Sequence, residues 1–450
     1  MDYDVVVIGG GTSGLRAAIE LSSSRKTALI EDSDLGGTCL NTGCIPTKAM
    51  LQASSLYYES KHLSGFGVNV PVSKVNFPKL MQRVRGIIEE AHRHIHKSIK
   101  RKNLTLIKAR ASFAGKDTVR AGNELIRAKN IIISTGSRNC VPKIKGLEKT
   151  GYITNHNMLQ MEKLPKSVII IGGGYISMEL ATFFNQLGSK VTILERHDSV
   201  LKMLDPEISE LIASYYIQDG VSIMLGTEIL EARKKGRMKE IVIMKDSNRK
   251  VLTADEIIVA TGMMPNTDNL GLGLAGIKTD ERCSIVVDSY LRTTNKRVYA
   301  MGDVIGKAMF AHAAKREEAV VINNIMHRKK KRMNLSVLPW SVFTSPPIAG
   351  VGLTETQARE RGINTGILKA YFTQAGRAHI MMNTRGFVKV IFNRRNKRIV
   401  GCEIIGPRAD DLIHEFSCLL NSSSPDLDTL RKTIHIHPTL SEVMESLEEE

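Results

Sequence analysis

The chain has 450 residues, a formal net charge of +17 and a hydrophobic fraction of 42%. That length exceeds what one core can organise and predicts about three domains, while the composition is that of a soluble globular protein. No apolar run approaches the length of a bilayer span, and the basic residues near 97–102, 233–239 and 328–332 are dispersed, without stacking aromatics or a DNA-binding motif, so neither a membrane nor a nucleic-acid role is expected.

The first residues, Met-Asp-Tyr-Asp-Val-Val-Val-Ile-Gly-Gly-Gly, leave no room for a signal or transit peptide before the first strand, and a cytoplasmic location is expected. A buried strand over residues 5–8 runs into Gly9-Gly10-Gly11-Thr12-Ser13-Gly14, then a helix to about residue 22 and a second strand over 26–30 that ends at Glu31. This is a complete dinucleotide-binding unit. Gly9 permits the tight turn, Gly11 lets the backbone approach a pyrophosphate, Gly14 allows close helix packing, and Glu31 accepts from a ribose.

Residues 36–44 then read Gly-Gly-Thr-Cys-Leu-Asn-Thr-Gly-Cys. Two thiols separated by four residues, placed on one short helical turn, can open and reclose a small ring cheaply, which suits a catalytic disulfide; Cys39 and Cys44 are the first catalytic candidates. A metal role wants further ligands. Cys140, Cys283, Cys402 and Cys418 are scattered without zinc-like spacing and read as ordinary thiols of a reducing compartment. The segment from about 80 to 100 is helical and cationic; of its His92, His94 and His96 only the first and last share a face, so it reads as a solvated surface and no metal is expected.

The dinucleotide pattern recurs. A strand over residues 167–171 is followed by Gly172-Gly173-Gly174-Tyr175-Ile176-Ser177, a helix to about 187, and a strand over 190–194 that leads into Glu195. Ser177 in place of the third glycine implies slightly wider helix packing. Glu195 would bond a ribose 2′-hydroxyl and repel a 2′-phosphate, favouring NAD over NADP, although the adjacent Arg196 keeps NADP in view. Further on, strands are expected at residues 386–392 and 399–405, with a helix after Arg408. Near the end stands His435-Ile436-His437-Pro438-Thr439-Leu440-Ser441-Glu442. A thiol nucleophile needs a base that titrates near neutrality, which makes His437 a candidate with Glu442 as its orienting acid. His435 has no such role and is expected to face solvent or an interface.

The blocks GGTCLNTGCIPTK, GGGYISME, ATGMMPN, AMGDV, AHAAKRE, FTSPPIAGVGLTE and HIHPTLSE resemble, in order, the signatures of the class I pyridine nucleotide-disulfide oxidoreductases. GCIPTK and HIHPTLSE most resemble the dihydrolipoamide dehydrogenases of that family. The resemblance implies an α/β chain with two Rossmann-like dinucleotide-binding domains and an α+β C-terminal dimerisation domain. Residues 1–145 and 266–335 would bind FAD, 146–265 NAD, and 336–450 would dimerise; Ser134-Thr135-Gly136 and Ala260-Thr261-Gly262 would mark the crossings between nucleotide domains.

It further implies that Cys39 exchanges with a dithiol while Cys44 lies against the flavin. His437 and Glu442 of one subunit would sit over the cysteines of the other in an obligate homodimer. Lys48 would approach the flavin and pair with Glu179, Asp303 would accept a ribityl hydroxyl, and the backbone from Ala311 would approach the isoalloxazine. Gly37, Thr38, Thr135, Gly136 and Gly262 would complete the cofactor contacts, with Tyr175 covering the nicotinamide pocket or serving in packing. Met263 and Cys283 depart from the family pattern, where arginine and glycine are common.

The expected activity is FAD-dependent oxidation of protein-bound dihydrolipoyl groups by NAD. The alternative is an NAD(P)H-dependent reductase of another small disulfide, glutathione reductase-like, or an oxidant- or metal-responsive reductase. Mercuric reductases and large thioredoxin reductases are disfavoured, because they would need a vicinal cysteine pair where this sequence ends Glu-Ser-Leu-Glu-Glu-Glu. A lipoyl partner would arrive on a separate protein, drawn by the positive charge.

Overall fold

The computed structural model describes residues 2–71, 74–100 and 103–450; Arg101 and Lys102 of the first basic cluster lie outside the described residues. Strand Tyr3–Ile8 is apolar from Val5 onward because both of its faces are covered, and Val5, Val6 and Val7 are wholly buried. It pairs in parallel with Thr27–Glu31 on one side and with Glu124–Ile133 on the other. Leu104–Lys108 extends the first edge and Val298–Ala300 adds in parallel beyond Ile131–Ile133, so a late strand returns to the sheet that the first strand began. The hairpin Ala111–Phe113 and Thr118–Ala121 completes this seven-stranded sheet.

A second parallel sheet repeats the plan in the order Ser222–Met224, Lys190–Leu194, Ser167–Ile171, Glu256–Val259. An antiparallel meander of Glu228–Lys235, Met238–Lys245 and Asn248–Ala254 accompanies it. Ser137–Asn139 and Met263–Pro265, just beyond the two Thr-Gly turns, pair with each other and tie the nucleotide units together. The C-terminal part is an antiparallel six-stranded sheet ordered Trp340–Val342, Ile348–Gly352, Ile399–Ile405, Phe387–Asn393, Thr365–Tyr371, Glu448–Glu449, with helix Ala409–Leu420 packed across it. These layers give the expected α/β chain with a mixed C-terminal domain.

In both parallel sheets the helix after the glycine turn begins at the carboxyl end of the central strand. Helices Thr12–Leu21 and Tyr175–Gln186 start on Gly11 and Gly174 with no side chain capping their first turn. Their leading N–H groups therefore face the crevice, where an anion is best placed.

Candidate active site

The two cysteines do not share one helical turn. Cys39 lies in the short helix Gly37–Asn41, and Cys44 opens the long helix Cys44–Ser60 after a break at Thr42 and Gly43. Between them, the Asn41 amide donates to the carbonyls of Asp34, Leu35 and Gly37 at 3.3, 3.2 and 3.0 Å, which ties the loop into a compact unit. Its Oδ1 accepts from His92 Nε2 at 2.6 Å. His92 is thus a brace for the cysteine loop, and the described residues hold no cluster able to bind a metal.

Both thiols are free and line a cleft of about 1360 Å³. The hydrogen bond from Cys44 lowers the Cys39 thiol to about 7; burial opposes that shift, while the Thr12 hydroxyl and the Lys48 charge assist it. Cys44 moves the opposite way, raised first by its bond to Cys39 and then by burial. The two thus share a proton: the first is lost easily and the second with difficulty. Cys44 leads a 17-residue helix, whose N-terminus favours a negative sulfur there when Cys39 carries no competing charge.

One turn further along, Lys48 Nζ lies 2.7 Å from both carboxylate oxygens of Glu179 and 4.5 Å above the Phe343 ring. Glu179 is buried, with a side chain 8% exposed, and Glu179 Oε1 also accepts the Phe343 N–H at 3.1 Å. The pair joins the cysteine helix, the second fingerprint helix and the C-terminal sheet at one point. Removing Lys48 from this pair would leave the buried Glu179 carboxylate without its counter-charge.

The first fingerprint fits a dinucleotide. A side chain at Gly14 would place its Cβ 2.0 Å from the Gly9 carbonyl oxygen, and one at Gly37 would meet the Gly11 Cα at 2.7 Å, so the loop closes only without them. Gly11 lines the cleft and leaves room there, a side chain on it touching only the Gly37 Cα at 3.9 Å, and a side chain at Gly174 in the second loop would meet nothing within 4 Å. Glu31 accepts from the N–H groups of Gly10 and Ser33; burial pushes its carboxyl up, but these donors outweigh it and hold it below the usual range. Glu195 likewise accepts from Gly173 at 2.5 Å and His197 at 2.9 Å. Ser177 fits because its hydroxyl donates to the Ala260 carbonyl at 3.1 Å.

Gly9, Thr38, Thr135, Gly136, Asp303, Ala311 and Tyr175 also line the cleft. Asp303 accepts from the Ser137 hydroxyl at 2.6 Å, and burial raises its carboxyl. Gly172, Glu195 and Gly262 lie outside the cleft, on the second nucleotide unit. Tyr175 is stacked between Phe310 and Trp340, with ring centroids 6.2 and 6.3 Å away, and burial raises its hydroxyl to about 12.

His437 and Glu442 do not line the cleft of their own chain. His437 Nδ1 is 2.7 Å from Glu442 Oε1, and Glu442 Oε2 accepts the Thr439 N–H at 2.7 Å, so the carboxylate is fixed by the turn that follows. The bonds from His437 and Thr439 hold the Glu442 carboxyl below its ordinary value. The imidazole is 81% exposed, with Ile434 and Ile436 exposed beside it. His435 differs from expectation: its side chain is only 6% exposed and lies between Glu415 and Glu445.

Residues 3–317 match the model of the pyridine nucleotide-disulphide oxidoreductases, and residues 338–447 match that family's dimerisation domain. The chain belongs to the pyridine nucleotide-disulphide oxidoreductase family. Its relatives include a dihydrolipoyl dehydrogenase of Chlamydia muridarum, 33% identical over 98% of this chain and 95% of the relative. A mercuric reductase of Lysinibacillus sphaericus is 32% identical over 98% of this chain and 81% of its own length. Among solved structures, the HOCl-induced flavoprotein disulfide reductase RclA from Escherichia coli superposes with a TM-score of 0.89 at 30% identity, covering 99% of each chain; its Cu(II) complex matches equally well.

Members of this family are FAD-dependent flavoproteins that use a pyridine nucleotide, and the match to the family's dimerisation domain supports a homodimer. No helix of the described residues is long and apolar enough to cross a membrane. Several contacts at the site had no local signal in the sequence: Thr12 on the Cys39 sulfur, Phe343 under Lys48, and Phe310 and Trp340 around Tyr175. The three closely spaced histidines were visible, but a helical pattern shows only that His92 shares a face with His96, not that it reaches Asn41.

Proposed function

We propose that this enzyme is a dihydrolipoamide dehydrogenase, oxidising protein-bound dihydrolipoyl groups with NAD through the Cys39 and Cys44 disulfide. The observation that carries the reading is the exposed His437–Glu442 pair, a base fixed by its acid yet remote from the cleft of its own chain. Placed over the cysteines of the other subunit, as the resemblance implies, it would complete a thiol-oxidising site. Because Nδ1 is engaged by Glu442, the lone pair on Nε2 is the one left to take a proton.

The steps follow from these groups. His437 Nε2 takes the proton of one substrate thiol, and the resulting thiolate attacks Cys39 Sγ. The bond between the cysteines breaks and Cys44 leaves as a thiolate, stabilised by the helix start and by Lys48. The second substrate thiol then attacks the substrate sulfur of the mixed disulfide and its proton passes to the departing Cys39 sulfur, which closes the lipoyl disulfide and leaves the enzyme dithiol as the Cys39 thiol and the Cys44 thiolate, with His437 protonated. When bound, FAD supplies the two-electron carrier between that dithiol and NAD; the Gly11 and Gly174 helix starts, Asp303, and Lys48 with Glu179 would hold the two cofactors. Glu195 supports NAD over NADP, whereas Arg196 and Lys202, both against His197, leave a cationic rim beside it.

The second reading is a reductase that runs electrons outward to a small disulfide or an oxidant. It is favoured by the likeness to RclA over nearly the whole of both chains and by the mercuric reductase relatives. Steady-state rates decide between them: NAD and NADP reduction by dihydrolipoamide, against NADH and NADPH oxidation by oxidised glutathione. Rapid NAD-dependent oxidation of dihydrolipoamide is expected. Slow turnover there with rapid reduced-nicotinamide-dependent disulfide reduction would transfer the function to the second reading.

A further inference from the structure

We propose that His435 is a positioning residue for the active-site base: it clamps the segment that carries His437 by bonding Glu415 through one ring nitrogen and Glu445 through the other. The inference rests on the reading of His437 as the base. Between the buried Leu430 and Leu440, residues 431–438 lie at the surface, and no backbone–backbone hydrogen bond within the chain holds residues 434–438 among the described residues. Ile434 is 93% and Ile436 78% exposed. His435 alone among residues 431–438 turns its side chain inward.

Its Nε2 lies 2.9 Å from Glu415 Oε1, and its Nδ1 3.3 Å from Glu445 Oε1. Glu415 belongs to helix Ala409–Leu420, which packs on strands Ile348–Gly352 and Ile399–Ile405, and Glu445 to the short helix Leu440–Ser446. The clamp therefore fastens an otherwise loose segment to the sheet on one side and to its own continuation on the other.

A carboxylate only accepts, so both bonds form together only when both ring nitrogens carry hydrogen. Each bond has a carboxylate as acceptor, which makes it of the stronger, charge-assisted kind. Other titratable groups in the neighbourhood include Glu442, whose carboxyl also feels His435, and the buried Cys402 thiol, which feels Glu415 and Glu403. The base sits two residues from this anchor. A displacement of about 1 Å at a catalytic group can cost on the order of a hundredfold in rate, so the clamp sets how well His437 is aimed.

The test uses the reduced FAD-loaded dimer and a small thiol reagent, so it depends on no physiological substrate. Iodoacetamide labelling at Cys39 is followed by peptide mass spectrometry near neutral pH, in wild type, His435→Gln, His437→Gln and the double variant, each checked for dimer mass and flavin content. A protonated imidazole over the cysteines promotes the thiolate, so His437→Gln should slow labelling about tenfold. His435→Gln should slow it severalfold, and should add nothing in the His437→Gln background.

Wild-type labelling in His435→Gln alongside a slow His437→Gln overturns the clamp. Equal further slowing in both backgrounds also overturns it, since the effect would then not pass through the base. Unchanged labelling in His437→Gln removes the base reading and the clamp with it. Should His435→Gln fail to assemble, Glu445→Gln, which keeps an acceptor but removes the charge, is read by the same criteria.

Discussion

A thiol reacts in proportion to its thiolate fraction, and within its own chain the residue that lowers the Cys39 thiol most is Cys44. Burial pushes the Cys39 thiol up, and the bond from Cys44, helped by Thr12 and Lys48, brings it down to about 7. The sign is that of a lowered acid: the thiolate is present above the folded value and is lost as pH falls through it. In the reduced enzyme, labelling of Cys39 should therefore rise with a midpoint near pH 7. In Cys44→Ala, which removes the largest cause, the midpoint should move up toward the usual thiol range, measured as labelling rate against pH. A midpoint unmoved by that substitution would assign the shift to Thr12 and Lys48 instead.

Individual elements meet through charges that local patterns do not reveal. Lys369, Lys389 and Glu403 occupy matched positions on strands Thr365–Tyr371, Phe387–Asn393 and Ile399–Ile405, forming one row across the sheet. Lys389 Nζ reaches Glu355 at 2.6 Å and Asp205 and Glu207 at 3.3 Å, while Lys369 holds Glu207 at 2.7 Å and Glu450 at 2.6 Å. Burial lowers the Lys389 ammonium's affinity for its proton, but these carboxylates outweigh it and hold it well above the usual range. Asp205 and Glu207 begin helix Pro206–Gln218 of the second nucleotide unit, so the row fastens that unit to the C-terminal sheet. Lys389→Met should cost about 3–5 kcal/mol in unfolding free energy, because it leaves the buried Asp205 carboxylate without its ammonium partner; denaturant unfolding measures it. Glu403, 2% exposed, shows the opposite strain: burial raises its carboxyl to about 8. An acid raised in the folded state loses stability as pH climbs from its unfolded value to its folded one. Glu403→Gln should thus gain thermal stability over wild type across pH 4.5 to 8 and hold a constant gain above it. The expectation of strands at residues 386–392 and 399–405 could not show this, since a lysine on a strand reads as solvent-facing until the element that covers it is known.

At the scale of the whole molecule, the glycine turns, the spacing of the cysteines and the His437 block were legible because each is a local pattern tied to backbone or covalent chemistry. Lys48 and Glu179 were legible only through resemblance, for 131 residues separate them and only the fold brings them to 2.7 Å. The clamp on His435 was illegible, since its partners lie 20 residues before it and 10 after. What remains for the molecule as a whole is whether one chain can work alone. Cys44 lines the cleft and His437 does not, so a shared site needs two copies, related by a two-fold axis that completes both sites at once. That arrangement makes a prediction no single-chain site shares. Cys44→Ser and His437→Gln homodimers should each be nearly inactive in dithiol turnover. Unfolded or dissociated together and reassembled at equal amounts, they should give about half mixed dimers, in which one site has both defects and the other has neither. The mixture should recover about a quarter of wild-type activity, on the same two-fold counting. If the base served the cysteines of its own chain, every site in the mixed dimer would keep one defect, and reassembly would restore nothing.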